Sequence, residues 1–308
     1  MALVPVVPAG VPGIVAAPVA LLAALTAIQT LATGSCLVID ARLAGVAAGA
    51  VALPLRAPFL VVVAGGGGYR RADPVALTYR APMRVPAPDP RIVRAESLEQ
   101  VYRLRLPMPP DNFPLVWEPG DEVELRPREE LEGRAAVLNV VLGCAFGMPS
   151  RLAMSWLLEA HLLDRLTQPE WHFVASRDGD VRSFMLHSEA LAALAWLLSM
   201  VKWLDPAAPG TENVAEFFPD LPRGEGYAGW RSRVLSVPRD PVEAAAQLDL
   251  YYCLDWAYLA AEHRQLPLPG LIDSNAIGQR RWALEWAVVF HGPFHDPPPG
   301  WEEIDLST

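Results

Sequence analysis

From Pro127 onward, apolar residues recur at three- and four-residue steps. Leu131, Ala135, Leu138, Leu142 and Ala145 line up as one stripe, leaving Glu129, Glu130 and Arg134 for water. That period sets an amphipathic helix against a core. The helix is expected to stop near Gly147. Pro149 then opens a second helix carrying Leu152, Trp156, Ala160 and Leu163, which runs out by Thr167-Gln168-Pro169 to complete an antiparallel pair. A third helix, from about Ser183 to Leu204, presents Leu186, Ala190, Leu194, Leu197, Val201 and Leu204, with Trp196 and Trp203 adding large apolar area. Residues 212–238 are too broken by proline and glycine for one long element. Asp240-Pro241-Val242-Glu243 is a helix start, because Asp240 can accept from orphan amides and Pro241 needs no donor. That helix runs to about Arg264. A last one, from Asp273 or Ser274, carries Ile277, Leu284, Ala287 and Phe290 before Gly292-Pro293 stops it. The tail with Pro297 to Pro299 and Trp301 is expected to be extended and pinned to the bundle.

Before Pro127 the texture differs. Short β-branched runs at Cys36–Ile39, Phe59–Val63 and Val75–Tyr79 read as strands, and Val101–Leu106 as one more. The first charged residue is Asp40. Ile14 to Thr33 could supply the ~20 apolar residues of a membrane span. No Lys or Arg precedes it, however, Pro18 interrupts its start and alanine makes up much of it. A buried or partner-covered helix ending at Gly34 is the preferred reading, and membrane attachment through 14–33 the weaker one. Gly65 to Gly68 lacks the Gly-Lys-Ser/Thr of a phosphate loop and reads as a turn. The proline-dense run from Ala81 to Pro90 marks a linker. The expected organisation is an apolar region with short strands over 1–80, a linker over 81–95 and a helical domain over 96–308. The fold class is α+β, predominantly α, with about six helices in the helical domain.

Composition narrows the function. With 52% apolar and 19% charged residues the chain folds, and a net charge of −10 with no basic run argues against nucleic acid as a partner. Cys36, Cys144 and Cys253 stand far apart, as neither a zinc site nor a disulfide framework would have them, and suit a reducing cytoplasm.

Four dispersed motifs carry a resemblance. They are Gly147-Met148-Pro149-Ser150-Arg151-Leu152-Ala153-Met154-Ser155-Trp156-Leu157, Asp249-Leu250-Tyr251-Tyr252-Cys253-Leu254-Asp255-Trp256-Ala257, Arg280-Arg281-Trp282-Ala283-Leu284-Glu285-Trp286 and Trp301-Glu302-Glu303-Ile304-Asp305-Leu306-Ser307-Thr308. In this order and spacing, residues from about 96 to 308 resemble the bacterial proteins grouped as domain of unknown function 4272. The resemblance implies a mostly helical domain without an assigned activity, and leaves the apolar N-terminal region unexplained. The chain departs from the group's usual pattern at Asp255, where an aromatic residue or His commonly precedes the Trp.

Candidate chemistry gathers on two helices. Asp249, Tyr252 and Trp256 share a helical face, Asp255 lies beside them, and Arg281 and Glu285 can pair one turn apart on the last helix. Such a face could hold a small polar ligand. The favoured reading is a structural network, because buried carboxylates need partners and Arg281 is an obvious one for Asp249 or Asp255. His291 and His295 have a metal-ligand step that Gly292-Pro293 keeps off a helix, and Glu159, His161 and Asp164 do not all point the same way. No metal or other cofactor is expected, and no Gly-x-Ser-x-Gly elbow is present. Trp156, Trp171, Trp196, Trp203, Trp256, Trp282 and Trp286 are expected mostly in the core. The function that best fits is a non-catalytic interaction or accessory protein, bound to a protein partner or to itself through the N-terminal region. The alternatives are an enzyme with a polar site on the helices at 240–264 and 274–290, and a membrane-attached protein.

Overall fold

A computed structural model describes residues 83–210 and 214–307, all within the second of two units into which the chain divides, Tyr79–Thr308. The helix and strands expected between 14 and 79, and the glycine run at 65–68, lie outside the described residues.

An Asp-Pro pair opens the first helix. Asp89 accepts from the Arg91 amide at 2.9 Å and Pro90 sits in the first turn of α1 (Pro90–Arg103), the same device that starts the helix at Pro241. The strand expected at 101–106 is therefore corrected: Val93, Arg94, Ser97 and Val101 form a helical stripe facing inward. The chain leaves α1 where Arg105 takes a left-handed φ of 59°. The proline-dense stretch ahead of it is likewise structured, since Val85–Pro86 is strand β1.

Beyond it lie β2 (Glu122–Leu125), α2 (Arg128–Ala145) and α3 (Ser150–Glu159), with Gly147 turning the chain at φ +100°. The second helix is shorter than its apolar spacing suggests, and Leu152 on it is exposed. Thr167-Gln168-Pro169 does not end that helix but starts another, α4 (Gln168–Ser176). Thr167 and Glu170 form a reciprocal capping box there, with Pro169 in the first turn. Then α5 (Val181–Leu197) stops earlier than the expected Leu204, at Leu198 and a left-handed Ser199 with φ 56°. Val201 and Leu204 are buried all the same, from the irregular segment that follows.

The short α6 (Tyr227–Val234) precedes α7 (Pro241–His263) and α8 (Ser274–Ala287). Phe290, expected on the last helix, lies instead in β3 (Val288–His291), where two β-branched residues begin a strand. The three strands form an antiparallel sheet in the order β1-β2-β3, with Val123 opposite both Val85 and Phe290.

Eight helices are thus present among the described residues, more than the six expected, and the domain is α+β and predominantly α. α7 runs through its centre against α1, α8 and β2, while α5 packs on α2 and α8. Leu131, Leu138, Leu191, Leu194, Leu254, Ile277 and Leu284 fill the space between them, none more than 1% exposed. The tail turns back as expected: Trp301 accepts at its carbonyl from the Trp282 indole at 2.7 Å, and its ring lies 5.3 Å from that of Trp286. The seven tryptophans divide. Trp156, Trp196 and Trp286 are buried and Trp256 and Trp282 half-buried, while Trp171 and Trp203 are the exposed exceptions among the seven. Trp117, Trp230 and Trp301 are core instead.

Candidate functional site

The middle of α7 and the second half of α8 bring the candidate residues together, and α1 adds one that the sequence did not reveal. Arg94 grips Asp249, with Nη2 and Nε at 2.8 and 3.1 Å from Oδ1 and Nε also 3.2 Å from Oδ2. Its remaining donors reach the Phe113 and Pro114 carbonyls at 3.2 and 2.8 Å. This arginine, not Arg281, is the partner of Asp249. Because the start of α1 reads as linker, no pattern in the sequence brings Arg94 here.

Arg281 takes the second carboxylate. Its Nη1 donates to Asp255 at 2.7 Å and to the Leu306 carbonyl at 3.1 Å, and its Nε to Glu285 at 2.6 Å. The Tyr252 ring lies near both guanidinium groups, 4.6 Å from that of Arg281 and 5.7 Å from that of Arg94. Phe113 packs on Tyr252 at 4.8 Å and reaches Trp256 at 6.1 Å. All six candidate residues therefore belong to one assembly, with Arg94 and Phe113 added. Trp256 joins it through Phe113.

One cation serves two carboxylates here. Burial raises the carboxyl pKa of Asp255, and Arg281 only partly offsets it. Burial raises Glu285 as well, against Arg281, with Asp255 and Asp305 adding repulsion. The Tyr252 phenol is also raised, mainly by burial. Beside these groups is a cavity of about 330 Å³, whose lining includes the polar side chains of Tyr252, Arg281, Glu285 and Asp305 and the apolar ones of Leu248, Val288, Phe290 and Ile304.

Further buried pairs tie the rest of the domain in the same way. Arg280, fully buried, meets Glu189 at 2.7 Å, the Ala208 carbonyl at 2.7 Å and the Tyr251 hydroxyl at 3.0 Å. Glu132 holds Arg128 and Ser236 at 2.8 and 2.6 Å, and Arg231 besides. Arg134, expected in water, is instead buried against Glu170 under the Trp301 ring. Glu129 and Glu130 do reach water, each side chain 42% exposed, so the expectation fails only at Arg134, one turn further along α2, where the helix is covered.

The histidine pair resolves into two separate contacts: His291 with Glu124 at 2.8 Å and His295 with Asp121 at 2.7 Å. Among the described residues no three His, Cys, Asp or Glu side chains are placed to hold a metal ion. Cys144 and Cys253 are buried and unpaired, and burial pushes the Cys253 thiol up to about 12. Among the described residues no helix is long and apolar enough to cross a membrane.

Fold and site together define a helical domain closed by a small sheet and cross-tied by buried arginine–carboxylate pairs. Residues 94–304 match the family described as Domain of unknown function (DUF4272), and the chain belongs to that family. The match begins at Arg94, the residue that anchors Asp249. No curated protein and no solved structure matches the chain.

Proposed function

We propose that the protein is a non-catalytic interaction or accessory protein whose polar cluster holds its helices in register. The observation that carries this reading is that the two cationic side chains of the cluster, Arg94 and Arg281, are both committed to buried carboxylates. Groups bound in this way are not poised for proton transfer or nucleophilic attack, which need a free base or nucleophile facing its substrate. The partner surface is assigned to the N-terminal stretch, which carries no charge before Asp40. Size-exclusion chromatography with light scattering, together with a pull-down from the native host using the full chain as bait, tests this. A specific partner or a self-associated species is expected. A clean monomer that recovers nothing contradicts the reading.

The rival reading, an enzyme built on α7 and α8, has one observation in its favour, the cavity beside Glu285. A carboxyl with a raised pKa at the wall of a cavity is a recurrent feature of active sites. Assays with the full chain discriminate, since a turnover that Glu285→Gln abolishes without unfolding the protein favours the enzyme.

A further inference from the structure

The cavity beside Tyr252 borders the groups that tie the helices together, and its lining mixes two kinds of side chain. Its lining combines apolar side chains, among them Leu248, Val288, Phe290 and Ile304, with the polar groups of Tyr252, Arg281, Glu285 and Asp305. At about 330 Å³ it has the size of a small-molecule site, and apolar walls with a few convergent polar groups are how such sites are built.

Charge among the polar groups is unbalanced. Arg281 is a single cation between Asp255 at 2.7 Å and Glu285 at 2.6 Å, and Asp305 adds a third carboxylate. Hydrogen bonding is incomplete as well. Among the described residues the Tyr252 hydroxyl, the second Glu285 oxygen and the Arg281 Nη2 group have no hydrogen-bond partner within the protein, and none of them is sealed from solvent. All three belong to side chains that line the cavity, where water or a ligand can meet them; water supplies an acceptor for Nη2 but not the missing positive charge.

The geometry points to a binding site for a small amphipathic primary amine that also carries a neutral acceptor such as a carbonyl oxygen. The ammonium group donates to the Glu285 carboxylate and the Tyr252 hydroxyl oxygen, with Asp305 adding attraction from the rim. The acceptor takes an N–H from Arg281 Nη2, and the apolar body lies on Leu248, Val288 and Phe290. An anion is rejected, because at Arg281 it would meet Asp255 and Glu285 on either side. No bond is made or broken, and the site does not depend on partner capture through the N-terminal stretch.

Titration calorimetry of the full chain tests the site, with phenylalaninamide as probe and N-acetylphenylalaninamide and 3-phenylpropionate as the neutral and anionic comparators. Phenylalaninamide is expected to bind at least about tenfold more tightly than either comparator, the scale of a charge-assisted hydrogen bond. Glu285→Gln should weaken it about tenfold, and the surface change Asp305→Asn about twofold. Should Glu285→Gln fail to fold, Tyr252→Phe keeps the ring, removes one acceptor and should weaken binding severalfold. Comparators that bind equally well, no saturable binding of phenylalaninamide at millimolar concentration, or folded variants with unchanged affinity would overturn the assignment.

Discussion

Arg94 and Asp249 meet across 155 residues of chain, with the guanidinium Nη2 2.8 Å from Oδ1 and both side chains nearly sealed from water. The contact clamps α1 onto the middle of α7. It also fixes the Phe113 and Pro114 carbonyls, and so shapes one edge of the aromatic cluster around Tyr252.

Arg281 bridges two carboxylates, so its loss should exceed that of either partner. Arg281→Met leaves Asp255 and Glu285 buried without their cation and is expected to cost about 3–5 kcal/mol in urea denaturation. Glu285→Gln, which leaves the Arg281–Asp255 pair intact, should cost clearly less. Equal losses would show that the bridge is not shared.

The pH dependence has a definite sign. A carboxyl whose folded pKa is raised binds its proton more tightly in the native state, so its stabilisation is greatest in acid and is lost as pH rises through the folded value. Asp255 and Glu285 are both raised, chiefly by burial. The Glu285→Gln penalty should therefore be largest below the ordinary carboxylate range and shrink towards neutral pH. Denaturation of wild type and variant across pH 3–8 checks this, and a penalty that grows with pH would contradict the raised carboxyl.

Much of the fold was legible because long helices repeat their signal. Leu131 to Ala145 and the Asp240-Pro241 start gave α2 and α7 almost to the residue. Short helices were not legible, since α4 and α6 have 9 and 8 residues and offer only two turns of periodicity. Their signal lies in the caps: Thr167 with Glu170 was available, but Pro169 beside it reads equally well as an end. The Asp89-Pro90 start was obscured by the prolines ahead of it. The site was half legible for the same reason. Asp255, Arg281 and Glu285 fall within recognisable motifs; Arg281 and Glu285 pair as their helical spacing suggests, and Asp255 is one of the two carboxylates expected to meet Arg281. Arg94 lies 155 positions from its partner, and no local pattern reports a contact of that range.

The capping box at α4 makes a local prediction. Thr167→Ala removes the side-chain acceptor for the Glu170 amide and should cost about 1 kcal/mol. Faster hydrogen exchange should be confined largely to α4. A loss spread evenly over the domain would mean that α4 does not open independently.

Cys253 should be inert. Buried, with its thiol pushed up to about 12, it holds almost no thiolate at neutral pH. Iodoacetamide followed by peptide mass mapping should find it unmodified in the native protein and alkylated after denaturation. Rapid native labelling would show that α7 opens readily.

The account turns on whether the buried charges work as paired ties between helices, and a double-mutant cycle on Arg94→Met and Asp249→Leu measures this most directly. Each single change should cost about 3–5 kcal/mol in urea denaturation, and the double change clearly less than their sum. Single losses below about 1 kcal/mol that simply add would contradict it, because they would mean that the two groups do not depend on each other and are held for another purpose.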